Sequence, residues 1–179
     1  MSTQGSLLIA NVKRALYTWC KKETEGLISS DHIAWRDQSE PLPPRPCVTL
    51  KITSGPTRTG YQDNAQFVGG STGSQFKIGG QRHMMISIQV FGNSQIEPKA
   101  LQLATDLNAS LSKMTTLDYL RGLGVSVWKQ GDPQNITGLE ETEYEERAQF
   151  DVQIGLAENL VDDPGIIEHA NVTPVVSGP

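Results

Sequence analysis

The sequence predicts an α+β fold, in which a mainly antiparallel mixed sheet of about four to five strands carries two main helices on one face. The central prediction comes from residues 82–92, where apolar side chains recur at every second position, the period of a strand. A second segment, from Ala100 to Met114, repeats apolar residues at steps of three and four, the period of a helix. Neighbouring predicted strands are joined by loops, which favours antiparallel pairing.

The N-terminal third supplies one helix and two strands. Apolar residues from Leu8 to Trp19 predict an amphipathic helix over about 5–23, with lysines near its end where cations suit the helix dipole. Residues 33–35 are long enough for a brief edge strand. The proline cluster at 41–46 blocks helix and keeps the chain extended. It leads into a predicted strand at 47–53 whose alternation indicates one buried face.

The next segment, residues 54–81, is rich in glycine, serine and threonine and interrupts the hydrophobic pattern. A connection of this length is usually either functional or disordered. We expect a long protruding loop or hairpin that orders against a partner, since apolar residues lie among flexible neighbours. The expected assembly-interface residues in it are Tyr61, Phe67, Val68, Phe76 and Ile78.

The C-terminal half supplies the second helix and two further strands. Ser94 and Glu97 form a capping box that predicts the start of the second helix. A short helical turn is expected at 116–121, followed by strands at 125–128 and 148–156, the latter alternating without a break. We therefore expect one domain over 1–157 and an extended C-terminal arm over 158–179.

Net charge, targeting signals and motif spacing restrict the classes of function that this sequence can have. The chain has 179 residues and a formal net charge of −5, which argues against a broad phosphate-binding face. No signal peptide or apolar stretch of membrane-spanning length is recognisable, so synthesis in the cytoplasm is expected. Histidines, cysteines and carboxylates show no metal-site, cofactor or nucleophile spacing. We expect no enzyme activity and no cofactor.

Several segments resemble the tail-terminator or neck-terminator proteins of long-tailed bacteriophages. The resemblance runs from the first helix to about Gly165 and rests on a strand pattern without a catalytic signature. The segments that carry it are 44–50 (PRPCVTL), 54–56 (SGP), the strand 82–92, 145–152 (EERAQFDV) and 158–165 (ENLVDDPG).

The resemblance implies a structural virion protein at the junction of tail and neck. Such a subunit forms a ring, typically a hexamer, that caps the finished tail tube and joins it to the neck or head. The implied partners are further copies of itself, the tail tube protein, a neck or head-completion adaptor and the sheath protein. DNA would meet it only in passing through the lumen.

Three positions and two alternatives complete the prediction. An acidic lumen would repel DNA phosphates, and Glu140, Glu141 and Glu143 are the expected lumen-facing residues. A neck adaptor, head–tail connector or tail-completion protein would share the fold class and bind a different ring. A small ligand-binding or enzymatic α+β domain is the alternative from another class, and a pocket with converging polar groups would favour it.

Overall fold

A computed structural model describes residues 4–36, 41–60, 63–70, 73–93, 98–140 and 143–162. The helices are α1 (Gln4–Glu23), α2 (Ala100–Ser110) and α3 (Met114–Gly122), and a 3-10 turn spans Ser30–His32. The strands are β1 (Ile33–Trp35), β2 (Cys47–Arg58), β3 (Asn64–Gly70), β4 (Gly73–Phe91), β5 (Val125–Gln130), β6 (Gln134–Asn135), β7 (Gly138–Glu140), β8 (Glu143–Glu145) and β9 (Arg147–Asp162).

The predicted α+β class is confirmed, with seven strands in the main sheet. Their order is β1-β2-β4-β9-β5, with β3 also paired to β4 and β6 to β9. Every pair is antiparallel except β1–β2, which is parallel. The two strands beyond the expected five are β3 and β6, from segments whose sequence is typical of loops and turns. β7 and β8 form a separate small hairpin.

Strands β4 and β9 are the spine of the sheet. They pair without a register shift from Phe76↔Asp162 at one end to Phe91↔Arg147 at the other. Apolar residues at alternate positions of this ladder form the buried side of the sheet, as the sequence predicts for 82–92 and 148–156. The fully buried residues of the two strands on that side are Met84, Ile86, Ile88, Val90, Ala148, Phe150, Val152 and Ile154.

The helices cover only this side. The apolar stripe of α1 is buried, and the Trp19 indole N–H donates to Ser110 Oγ at 3.0 Å, which ties α1 to the end of α2. Helix α2 packs against β4 and β9, and α3 lies against β5. The start and end predicted for α1 agree with the structure to within one residue.

Most of the described residues between 54 and 81 are strand. Strand β2 continues to Arg58, and β3 and the first half of β4 form a hairpin, with Phe67 opposite Phe76. Glycine and polar residues have low strand propensity, so the sequence pattern is weak here. Pairing of β4 with β3 on one edge and with β9 on the other supplies the backbone hydrogen bonds that make the segment a strand. The hairpin alternative of the prediction is the correct one.

Two other boundaries differ from the expected ones. The expected C-terminal arm begins as strand, because β9 continues through 158–162 in register with β4; residues 163–179 lie outside the described residues. Helix α2 begins at Ala100 and ends at Ser110. The capping box at 94–97 also lies outside the described residues.

Candidate assembly surfaces

Three strands extend beyond the helix-covered body and form what we call the arm. It consists of β3, residues 73–81 of β4 and residues 157–162 of β9. Pairing of β2 with β4 stops at Arg58↔Arg82, where the arm begins. One strand, β4, therefore crosses from the core of the protein into a three-stranded extension.

One side of the arm is apolar and uncovered. Because the β4–β9 ladder has no register shift, Phe76 and Ile78 project from the same side as the core residue Met84. Phe67 pairs with Phe76, and their rings meet edge to face with centroids 5.4 Å apart. Phe67 is 56% exposed, Phe76 38% and Leu160 47%. The apolar side of the sheet thus continues past the helices into solvent, where contiguous apolar surface is typical of a binding site.

The sequence-predicted interface residues converge on the arm, although not all on one side. Phe67, Phe76 and Ile78 share the apolar side, whereas Val68 lies on the opposite side. Tyr61 lies outside the described residues. Sequence reasoning missed Leu160, which pairs with Ile78. The sequence carried no clear signal for it, because Glu158 interrupts the apolar alternation between Leu156 and Leu160.

A cluster of charged residues holds the base of the arm. The Arg82 guanidinium donates two hydrogen bonds to the Asp63 carboxylate, at 2.7 and 2.8 Å, and a third through Nε to Glu158 at 2.8 Å. Arg58 Nη2 lies 2.9 Å from Asp63 Oδ2. The hydrogen bonds from Arg82 lower the pKa of Asp63, burial opposes that shift, and the charge of Arg58 adds to it. Charge-assisted pairs of this kind fix geometry.

Glycine is required beside this cluster. A side-chain carbon at Gly80 would lie 2.0 Å from Asp63 Oδ1 and 2.5 Å from an Arg82 nitrogen. The close approach of backbone and carboxylate therefore depends on a residue without Cβ. The cluster therefore links the residue before β3 (Asp63) to β4 through Arg82 and to β9 through Glu158.

Two of the three predicted acidic residues lie on β7 and β8. Glu140 and Glu143 are backbone partners in this pair of strands, and Glu141 lies outside the described residues. The next two glutamates have partners in the body. Glu145 forms an ion pair with Arg45, and Glu146 Oε1 accepts a hydrogen bond from the Ala100 N–H at 2.8 Å.

The groove, potential metal ligands and cysteines among the described residues show no arrangement typical of a catalytic site. A groove of about 450 Å³ at the end of α1 is bordered by the exposed Lys21, Lys22 and Glu25. Across the ranges that the structure describes, no group of three or more histidine, cysteine, aspartate or glutamate side chains is placed to hold a metal ion. Burial raises the pKa of the Cys20 thiol to about 12 and that of Cys47 to about 11, which disfavours their thiolates. None of the described helices is long and apolar enough to cross a membrane.

Comparison with known protein families decides the identity. The family model described as phage neck terminator protein matches residues 10–178. The chain belongs to the phage neck terminator family. No curated protein matches it significantly. The matched range includes every described strand and all of the helices apart from the first turns of α1. The family match of this neck terminator therefore covers both the arm and the helix-covered body.

Membership gives the coarse function. A neck terminator is a structural protein of the virion, located at the neck, where it associates with other head or tail components of the phage. This agrees with the resemblance recognised in the sequence.

Proposed function

We propose that this neck terminator forms a closed ring of six subunits that caps the tail tube and joins it to the neck or head. The observation that carries the proposal is the arm, a three-stranded extension with an apolar side left uncovered by the helices. Phe67, Phe76 and Leu160 on that side are each more than a third exposed. Exposure of three large apolar side chains in one place is unfavourable in water, and burial against another subunit removes it.

A head-to-tail ring suits the shape of this surface. Contacts between unlike patches of identical subunits generate a ring when the rotation closes. The arm offers an apolar side and two strand edges that pair with no other described strand, one along β3 and one along the last residues of β9. Strand edges pair readily with other chains. The Arg82–Asp63 cluster supports the same function, because an arm fixed at its base loses less freedom on docking.

The proposed partners follow from this position. One side of the ring would meet the tail tube protein and the other a neck or head-completion adaptor, with the sheath protein at the periphery in a contractile tail. DNA would pass through the lumen without a binding site. We propose the β7–β8 hairpin, with Glu140, Glu141 and Glu143, as the acidic lining, because negative charge repels the phosphates.

Assembly is tested by removing the apolar side of the arm. The double variant Phe67→Ser with Phe76→Ser is expected to fold but to remain monomeric, measured by light scattering after size exclusion and by negative-stain imaging. Leu27→Ser is the matched control, since Leu27 is 47% exposed but lies on the turn after α1. The same proteins are then added to purified heads and tails, and joined particles are counted. Wild-type joining by the double variant would refute the role of the arm.

The acidic lining is tested separately by replacing Glu140, Glu141 and Glu143 with lysine. Rings should still form, whereas genome ejection from assembled particles should slow, because phosphates are then attracted to the wall. Normal ejection kinetics in particles that contain the triple variant would count against the lining and leave the ring proposal intact.

A further inference from the structure

Three arginine side chains converge on one phenylalanine at the end of the sheet opposite to the arm. The guanidinium carbons of Arg36, Arg45 and Arg147 lie 5.9, 6.0 and 4.9 Å from the centre of the Phe91 ring. Phe91 is only 2% exposed, so the ring is a buried floor beneath the three cations. Guanidinium planes stack favourably on aromatic faces, which explains how the cluster is held.

The three arginines of this cluster differ in their side-chain partners. Glu145 pairs with Arg45. Arg147 donates to the neutral Gln89 side chain at 2.6 Å, and its Nε is buried without a hydrogen-bond partner among the described residues. Arg36 is exposed at the rim and forms no side-chain ion pair with a described residue. Three cations close together favour an additional carboxylate, which guanidinium binds with directed hydrogen bonds.

A candidate carboxylate lies at the other end of the same strand pair. The β4–β9 ladder ends in the rung Phe91↔Arg147 at the cluster and in the rung Phe76↔Asp162 on the arm. Asp162 is exposed and forms no ion pair with another described residue. The two rungs are fifteen residues apart along β4, about 50 Å at the rise of a strand. They cannot meet within one subunit.

We propose that the Arg36, Arg45 and Arg147 cluster is the receiving site for the arm of a second copy of this chain, with Asp162 of that arm as the carboxylate it binds. The two ends of one ladder then form the unlike patches that a head-to-tail contact needs. This inference rests on the proposed ring and names the surface on which the arm docks. The apolar side of the arm supplies buried area to the contact. The charge pair made by Asp162 fixes the position of the arm on the receiving subunit, since charge pairs across an interface set specificity.

Duplex DNA is a less suitable occupant of the cluster. Phe91 is buried beneath the guanidiniums, so no base can stack on it. Beyond Arg147, a chain of side-chain hydrogen bonds runs along the sheet surface through Gln89 and Gln149 to Asp151. This chain ends on a carboxylate and adds no further cation. Duplex DNA is bound by cations spread over several successive phosphates, and the described part of this surface offers one compact group.

The test is a charge exchange in the full-length protein. Arg36→Glu and Asp162→Arg are each expected to weaken ring assembly at least about tenfold, and the two changes combined in one chain are expected to restore most of it. Assembly is measured as the concentration at which half of the protein sediments as rings. Arg121→Glu is the matched control, because Arg121 is exposed on α3 and its loss should not change assembly.

A second measurement identifies the contact directly. The Arg36→Lys variant keeps the charge and provides an amine that carbodiimide couples to carboxylates in contact with it. Mass spectrometry of the ring fraction should recover a crosslink between positions 36 and 162, which the 50 Å estimate assigns to two different chains. Unimpaired rings in both charge-reversed variants, or no rescue in the combined variant, would overturn the inference while leaving the ring proposal standing.

Two further results also separate the inference from the proposed function. Wild-type protein that joins heads to tails without self-association would refute the receiving site and the ring together, yet leave the joining role. Retention of a labelled DNA duplex by wild-type protein, lost in Arg36→Glu and not recovered with Asp162→Arg, would replace the protein carboxylate with phosphate and overturn the inference.

Discussion

Arg82 binds Asp63 through two parallel hydrogen bonds, Nη1 to Oδ1 at 2.7 Å and Nη2 to Oδ2 at 2.8 Å, at the point where the arm leaves the body. The pair connects the segment that enters β3 with the middle of β4, and Glu158 adds β9 through Arg82 Nε. A three-stranded extension with few core contacts is expected to open more readily than the body. The pair is therefore expected to limit local opening of the arm in the free subunit.

Replacement of Arg82 by glutamine should loosen the arm and leave the body intact. The variant removes both hydrogen bonds to Asp63 and the ion pair with Glu158, so the amides of β3 should exchange with solvent at least about tenfold faster. Hydrogen exchange measured by mass spectrometry on peptides from β3 and α2 checks this. Arg121→Gln is the control, since the ion pair of Arg121 with Asp118 is exposed and lies on α3. Equal exchange of β3 in wild type and Arg82→Gln would contradict the prediction.

The arm should also loosen in acid. The folded-state pKa of Asp63 lies below its ordinary value, chiefly because of the hydrogen bonds from Arg82. A lowered pKa means that the contribution to stability is complete above the unfolded-state pKa, near pH 4, and is lost as the pH falls through the folded-state value. Exchange rates of β3, corrected for intrinsic pH dependence, should rise below about pH 4 in wild type. Asp63→Asn should not show this acid-induced rise.

Glu146 should stabilise the protein through a helix that is distant in sequence. Its carboxylate accepts from the first amide of α2 at 2.8 Å, at the positive end of the helix dipole. Glu146→Ala is expected to lower the free energy of unfolding by about 1 kcal/mol, with a smaller loss for Glu146→Gln, which keeps an acceptor. Urea denaturation measures both. Glu25→Ala, at an exposed position after α1, should be neutral, and an equally neutral Glu146→Ala would refute the capping role.

Gly155 should be required for the position of Trp128. A Cβ at Gly155 would lie 2.0 Å from the indole nitrogen, so Gly155→Ala must displace a ring that is 42% exposed. We expect Trp emission to shift to longer wavelength and the free energy of unfolding to fall by about 1 kcal/mol. Gly55→Ala is the control, because nothing lies within 4 Å of a Cβ there. An unchanged emission spectrum in Gly155→Ala would show that Trp128 does not cover this glycine.

The local patterns of the sequence were informative wherever one face of an element meets the core. The apolar stripe from Leu8 to Trp19 predicted α1 to within a residue, and the alternation from Met84 to Val90 predicted the buried side of β4. The cap at the start of α2 could not be predicted in this way. The first amide of α2 is capped by Glu146, which lies 46 residues further along the chain. No local signal could identify that partner.

The predicted assembly-interface residues show the same division. Phe67, Val68, Phe76 and Ile78 stood out in the sequence as apolar residues among flexible neighbours, but no local pattern pointed to Leu160. Only the ladder brings Leu160 beside Ile78. The convergence of Arg36, Arg45 and Arg147 on Phe91 was equally invisible, because the three arginines come from three separate segments.

The sequence by itself determined the α+β class, the two main helices, the buried face of the central strand and the resemblance to neck terminators, because periodicity and composition are properties of neighbouring residues. The tertiary structure alone decided that 73–81 is a strand, that it forms an arm with β3 and β9, and which charges hold that arm. Strand pairing and ion pairs join residues far apart in the chain, and glycine-rich segments adopt the conformation that their partners impose.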